Sequence, residues 1–103
     1  MDDVLELGGH IELSGFSSLD GANMIVLKKI IGSYARKLSE LAKGFEKLQV
    51  HMKKVHEKEK SEKYEIHVKV VVSGKPLTSE VTDRNLFFAL DKALKKAQSE
   101  IKV

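Results

Sequence analysis

Between Lys63 and Val70 the chain alternates strictly, with Tyr64, Ile66, Val68 and Val70, continued by Val72, of one parity and Glu65, His67 and Lys69 of the other, before Val71. A period of two marks a strand with one buried face. Gly74-Lys75-Pro76 is turn chemistry, and a shorter strand follows from Leu77 to Thr82. After Asp83 the period becomes 3.6. Leu86 or Phe87, then Leu90, Ala93, Leu94, Ala97 and Ile101, fall on one side of a helix whose other side is rich in lysine.

The first half repeats these signals in another order. Ile11, Leu13 and Phe16 alternate with polar residues and predict a short strand ended by Gly15. The Ser17 to Gly21 segment supplies turn and helix-capping chemistry. Met24, Leu27, Ile31, Tyr34, Leu38 and Leu41 then form one apolar stripe, predicting a helix over 21–43, about 35 Å long, with Gly44 as a left-handed closing residue. Leu48, Val50 and Met52 predict the next strand. Lys53-Lys54 breaks its phase before Val55, which reads as a bulge or strand end. The run from Glu57 to Lys63 has no apolar residue before Tyr64 and reads as a solvated loop. Residues 1–9, with Gly8-Gly9, read as a flexible N-terminal segment, and 10–103 as a single domain.

The expected fold is therefore α+β, in the order β-α-β-β-β-α. The strand pair joined through a helix is expected to be parallel with a right-handed crossover. The three strands with short connections are expected to form an antiparallel meander. This gives a four-stranded mixed sheet with both helices packed on one face and the Gln49/His51/Lys53 and Glu65/His67/Lys69 side open to water.

Length and composition narrow the function classes. A chain of 103 residues builds one core. With no cysteine there are no disulfides and no thiolate chemistry. No segment approaches the roughly 20 apolar residues of a membrane span, and the acidic start, Asp2, Asp3 and Glu6, is unlike a signal peptide, so the expectation is cytoplasmic with no membrane partner. The net charge of +3 hides an asymmetry: residues 1–23 carry five acids and no Lys or Arg, while the rest carries all 18 basic residues against ten acids. A domain that basic favours a phosphate-rich partner. The candidate phosphate contacts are Lys28, Lys29, Arg36 and Lys37 on the first helix and Lys92, Lys95 and Lys96 on the last. Each set recurs near one or two helical turns.

The element order and several segments resemble the ribosome hibernation-promoting family, also called ribosomal subunit-interface or ribosome-associated inhibitor proteins. Arg36-Lys37-Leu38 followed by Phe45 is similar to the end of that family's first helix, and Leu48 to Val55 to its second strand. The glycine-turned hairpin at Gly74, then Leu86-Phe87-Phe88-Ala89-Leu90-Asp91 leading to Lys96, is similar to the family's last strand and helix start. The likeness covers residues 10–101, in a divergent short form whose final helix ends in Gln98-Ser99-Glu100 where the family usually carries basic residues. It implies a β-α-β-β-β-α domain that binds the ribosomal small subunit and modulates translation by occupying it.

No other constellation competes. His51 and His67 are expected to be neighbours on the open sheet face, but without cysteine or an HxxxH spacing they supply no zinc motif, so no metal and no cofactor is expected. Glu65 and Glu80 on adjacent strands do not make an acid/base site without a pocket, and the protein is not expected to be an enzyme. Phe87 and Phe88 cannot both point inward, so one of them is available to a partner. The reading is a non-enzymatic factor that binds the ribosomal small subunit or another structured RNA. The competing reading is a protein-interaction domain that homodimerises, without an RNA role.

Overall fold

The computed structural model describes residues 5–7, 10–58 and 61–101, with side chains over 10–55 and 62–101. Its elements are β1 (Leu5–Leu7), β2 (Ile11–Ser14), α1 (Gly21–Leu41), β3 (Phe45–Lys58), β4 (Ser61–Val72), β5 (Lys75–Asp83) and α2 (Leu86–Ser99). From Ile11 onward this is the α+β order β-α-β-β-β-α. The sheet order is β1-β2-β3-β4-β5, with β2 parallel to β3 and every other pair antiparallel. To the expected four strands it adds β1, which pairs Leu5 with Leu13 and Leu7 with Ile11. The triplet Leu5-Glu6-Leu7 alternates, but three residues are too few to announce a strand in a sequence. The rest of the expected N-terminal segment, residues 1–4 and 8–9, lies outside the described residues.

Alternation decides which sheet face is covered. Leu13, Leu48, Val50, Met52, Ile66, Val68 and Val70 are buried on one face, packed with Leu27, Ile31 and Leu38 of α1 and Leu90, Ala93, Leu94 and Ala97 of α2. Removing each large side chain from water contributes roughly 1.5–3 kcal/mol. The small residues at 89, 93 and 97 let α2 lie close to the sheet, where the Ser79 hydroxyl donates to the Ala93 carbonyl at 2.6 Å. Both helices begin at side-chain caps: an Asp20 carboxylate oxygen accepts from the Asn23 amide at 2.8 Å, and the Asn85 side-chain oxygen from the Phe88 amide at 3.0 Å.

Three local expectations are corrected. The phase break at Lys53-Lys54 is not a bulge or strand end: pairing runs unbroken from Lys47↔Val71 to His56↔Glu62, with shifts only at Phe45/Lys47 and His56/Lys58. The segment from Glu57 to Lys63 is likewise not all loop, because β3 reaches Lys58 and β4 begins at Ser61. Lys53 sits opposite Glu65, and Lys54 pairs with Glu62 at 3.7 Å, so opposite charges replace the missing apolar pattern where the ribbon is solvated.

Gly44 is not a left-handed closing residue either. The helix ends through Ala42 in an extended conformation, and only Gly15 and Gly74 among the described glycines have positive φ. Gly44 serves close approach instead, since a Cβ there would lie 1.9 Å from the Ser73 hydroxyl oxygen. The β4–β5 turn is Ser73-Gly74, both at positive φ, as a two-residue hairpin of the primed type requires. Pro76 belongs to β5, an edge strand, where a missing N–H is tolerated.

Candidate nucleic-acid interface

The helices place the seven candidate cations on the outer layer of the molecule, and all are exposed. Along α1 the buried positions 27, 31, 34, 35 and 38 leave Lys28, Lys29, Arg36 and Lys37 in water. Along α2 the buried positions 86, 89, 90, 93, 94 and 97 do the same for Lys92, Lys95 and Lys96. The two helices carry only two carboxylates, Glu40 and Asp91, against these seven cations. No described contact engages the side chains of Lys28, Lys29 or Arg36, although the Ser39 hydroxyl donates to the Arg36 carbonyl at 2.8 Å.

The other four are positioned by neighbours. The Lys37 ammonium lies 5.3 Å from the Tyr34 ring centroid, and Lys95 pairs with Asp91 at 3.1 Å. Tyr34 donates to the other Asp91 oxygen at 2.7 Å and so ties α1 to α2. Lys37 and Lys95 therefore flank one groove of about 460 Å³ between the helices. Lys92 sits over the Phe88 ring at 4.4 Å, and Phe88 itself is 49% exposed, which resolves the choice between the two phenylalanines. Lys96 turns the other way and donates to the Glu80 carbonyl at 3.3 Å, at the β5 edge. Six of the seven cations thus belong to the outer helix surface, and Lys96 belongs to its margin.

The Tyr34–Asp91 bond has an electrostatic signature. Burial, and then the Asp91 carboxylate, push the Tyr34 phenol up to about 12. The Tyr34 hydroxyl and the Lys95 ammonium hold the Asp91 carboxyl below its ordinary value. A phenol raised on folding contributes stability that is complete below its unfolded pKa, about 10, and is lost as pH rises toward about 12. A carboxyl lowered on folding contributes stability present above about pH 4 and lost as pH falls below that. In thermal melts from pH 8 to pH 12, the Tyr34→Phe variant should therefore show a shallower alkaline decline than the parent. Equal declines would show that Tyr34 is not the group responsible.

The opposite face of the sheet is polar over its middle rows, with Val55, Val71 and Pro76 toward its ends. Ser14, His51, His67 and Glu80 are direct register partners across β2, β3, β4 and β5. The Ser14 hydroxyl lies 2.8 Å from His51 Nδ1, and the two imidazole centroids are 6.1 Å apart. His67 is bracketed by carboxylates, with Glu65 Oε1 2.6 Å from Nε2 and Glu80 Oε1 3.3 Å from Nδ1. In the next row Glu12 accepts from Gln49 at 2.8 Å and pairs with Lys47 at 3.2 Å, and these two partners hold its carboxyl below the ordinary value. A groove of about 640 Å³ runs over this face.

The His51–His67 pairing was readable from the hairpin, but Ser14 and Glu80 were not. Their places in the row depend on the β2–β3 register, set through α1, and on the exact β4–β5 turn. Among the described residues no helix is long and apolar enough to cross a membrane. No family model matches the chain, and no curated protein matches it.

Proposed function

We propose that the chain is a hibernation-type, RNA-binding factor that modulates translation by occupying the ribosomal small subunit, or another structured RNA, through its helix layer. The observation that carries this reading is the outer surface of α1 and α2, where seven exposed cations face only two carboxylates and the side chains of Lys28, Lys29 and Arg36 have no described partner. A structured RNA presents phosphates at many positions, and spaced cations on a rigid layer match such an array. Arg36 suits a forked phosphate contact, and the lysines act as point charges. The element order is also the one the family likeness implies. Occupancy, not catalysis, is the mechanism: charge fixes the domain in place, and its bulk excludes ligands that need the same groove. The protein then works in the cytoplasm, with no cofactor.

Phe88 and Ile25, 49% and 62% exposed, favour a second reading as a homodimerising interaction domain. The two readings separate in fluorescence anisotropy of a labelled, folded RNA hairpin, repeated across a range of salt. Phosphate binding predicts that the logarithm of the association constant falls linearly with the logarithm of salt, with slope near −0.7 to −0.9 per phosphate contacted. A protein that doubles its mass with concentration and leaves the anisotropy flat at low salt would support the dimer.

A further inference from the structure

The row of polar residues on the open sheet face lies opposite the helix layer and has no part in the reading above. We propose that His51, His67 and Glu80 form a three-ligand site for a first-row divalent transition-metal ion such as Zn²⁺, with Glu65 and Ser14 orienting the two imidazoles.

The argument begins with His67. Its Nε2 is 2.6 Å from Glu65 Oε1, a charge-assisted hydrogen bond that places the ring proton on Nε2. In the neutral ring with its proton on Nε2, the Nδ1 lone pair faces Glu80 Oε1 at 3.3 Å. Two acceptors at that distance repel each other until a proton or a metal cation lies between them. Bonds of about 2.0–2.1 Å to a tetrahedral ion put neighbouring ligand atoms roughly 3.3 Å apart, so the existing gap has the size of one edge of such a site.

His51 supplies the third ligand. Ser14 Oγ occupies its Nδ1 at 2.8 Å, which leaves Nε2 for a metal. Two imidazoles on one tetrahedral ion have centroids roughly 5–6 Å apart, and these two are 6.1 Å apart as direct cross-strand partners. A carboxylate or hydroxyl behind each ligating imidazole is the usual arrangement for fixing its tautomer and orientation, and Glu65 and Ser14 stand in those places. One ligand atom each from Glu65, His67 and Glu80 lies within 4.8 Å of the others, and the exposed His51 side chain must turn toward His67 and Glu80 to complete the set. The ligands sit on three adjacent strands, which hold their spacing rigidly, and the groove above them admits solvent for the fourth position.

The donor set selects the ion. Two imidazoles and a carboxylate suit Zn²⁺, Ni²⁺ or Cu²⁺, whereas Mg²⁺ favours oxygen alone. Sequence spacing hides the site because its ligands are brought together by strand register and not by a local motif.

Isothermal titration of Zn²⁺ into the protein near neutral pH should give one ion per chain with a micromolar dissociation constant, and titration with Mg²⁺ should give no saturable heat. His67→Ala and His51→Ala should each weaken Zn²⁺ binding at least about tenfold, and Glu65→Gln by about tenfold through orientation. His10→Gln, remote from the row, should leave it unchanged. Nitrogen shifts of the parent protein's imidazoles need no variant and should show Zn²⁺ on His67 Nδ1 and on His51 Nε2. Absence of saturable Zn²⁺ binding, binding unaltered by His67→Ala, or imidazole shifts that do not move with Zn²⁺ would overturn the proposal. His67 would then serve only as a link between its two carboxylate neighbours, Glu65 and Glu80. Because the site lies on the face away from the helices, failure of RNA binding leaves this result standing.

Discussion

Replacing Gly15 by valine should destabilise the protein by about 4 kcal/mol or more, enough to leave a domain of ordinary stability largely unfolded. Gly15 has φ +83°, where an L-residue costs roughly 1–2 kcal/mol. The larger effect is steric. A Cβ at this position would lie 2.0 Å from the Met52 carbonyl oxygen and 3.0 Å from its carbonyl carbon, and both belong to the backbone of a central strand. Relief requires β2 to move off β3, yet their parallel pairing spans only Ile11 to Ser14. Alanine carries the same Cβ and should suffer most of the loss. Gly32, inside α1, is the control: nothing lies within 4 Å of a Cβ there, so Gly32→Ala should stabilise by about 0.5–1 kcal/mol. Urea denaturation of the three proteins checks both signs. A Gly15→Val midpoint close to the parent's would contradict the close strand approach.

The second large effect concerns RNA. Changing Lys28, Lys29 and Arg36 together to glutamine should weaken binding to a folded RNA roughly a hundredfold near 0.1 M salt and flatten the salt slope by about 3. All three are exposed and their side chains lack described partners, and glutamine is a good helix former, so the fold should be retained. Adding Lys92, Lys95 and Lys96 to the set should bring binding to background. A thermal melt of each variant beside its binding curve separates lost contacts from lost structure. A triple variant that binds as tightly as the parent would remove α1 from the interface.

The strands with one buried face were legible because alternation is a physical requirement of a sheet covered on one side. Tyr64 to Val72 carries that signal through five apolar positions. The two helices were legible for the corresponding reason at period 3.6. The distal β3–β4 ribbon was not, since the run from Glu57 to Lys63 has no apolar residue to alternate. Its pairing rests on register and on opposite charges such as Lys53 and Glu65. Gly44 misled because helix-closing and close-approach glycines look alike until Ser73 is brought against one of them. In the interface, exposure of the cations followed from the helical stripe. The divergence of Lys96 toward β5 depends on which side of α2 meets the sheet edge, and no sequence period encodes that.

The most direct test of the functional account is sedimentation of the purified protein with ribosomal small subunits at low and at moderate salt, beside the six-site glutamine variant. The account predicts that the parent travels with the subunit at low salt, is released as salt rises, and that the variant stays at the top of the gradient throughout. A parent protein that remains at the top at low salt would contradict subunit binding. Co-sedimentation retained by the variant would contradict the helix layer as the surface that makes it.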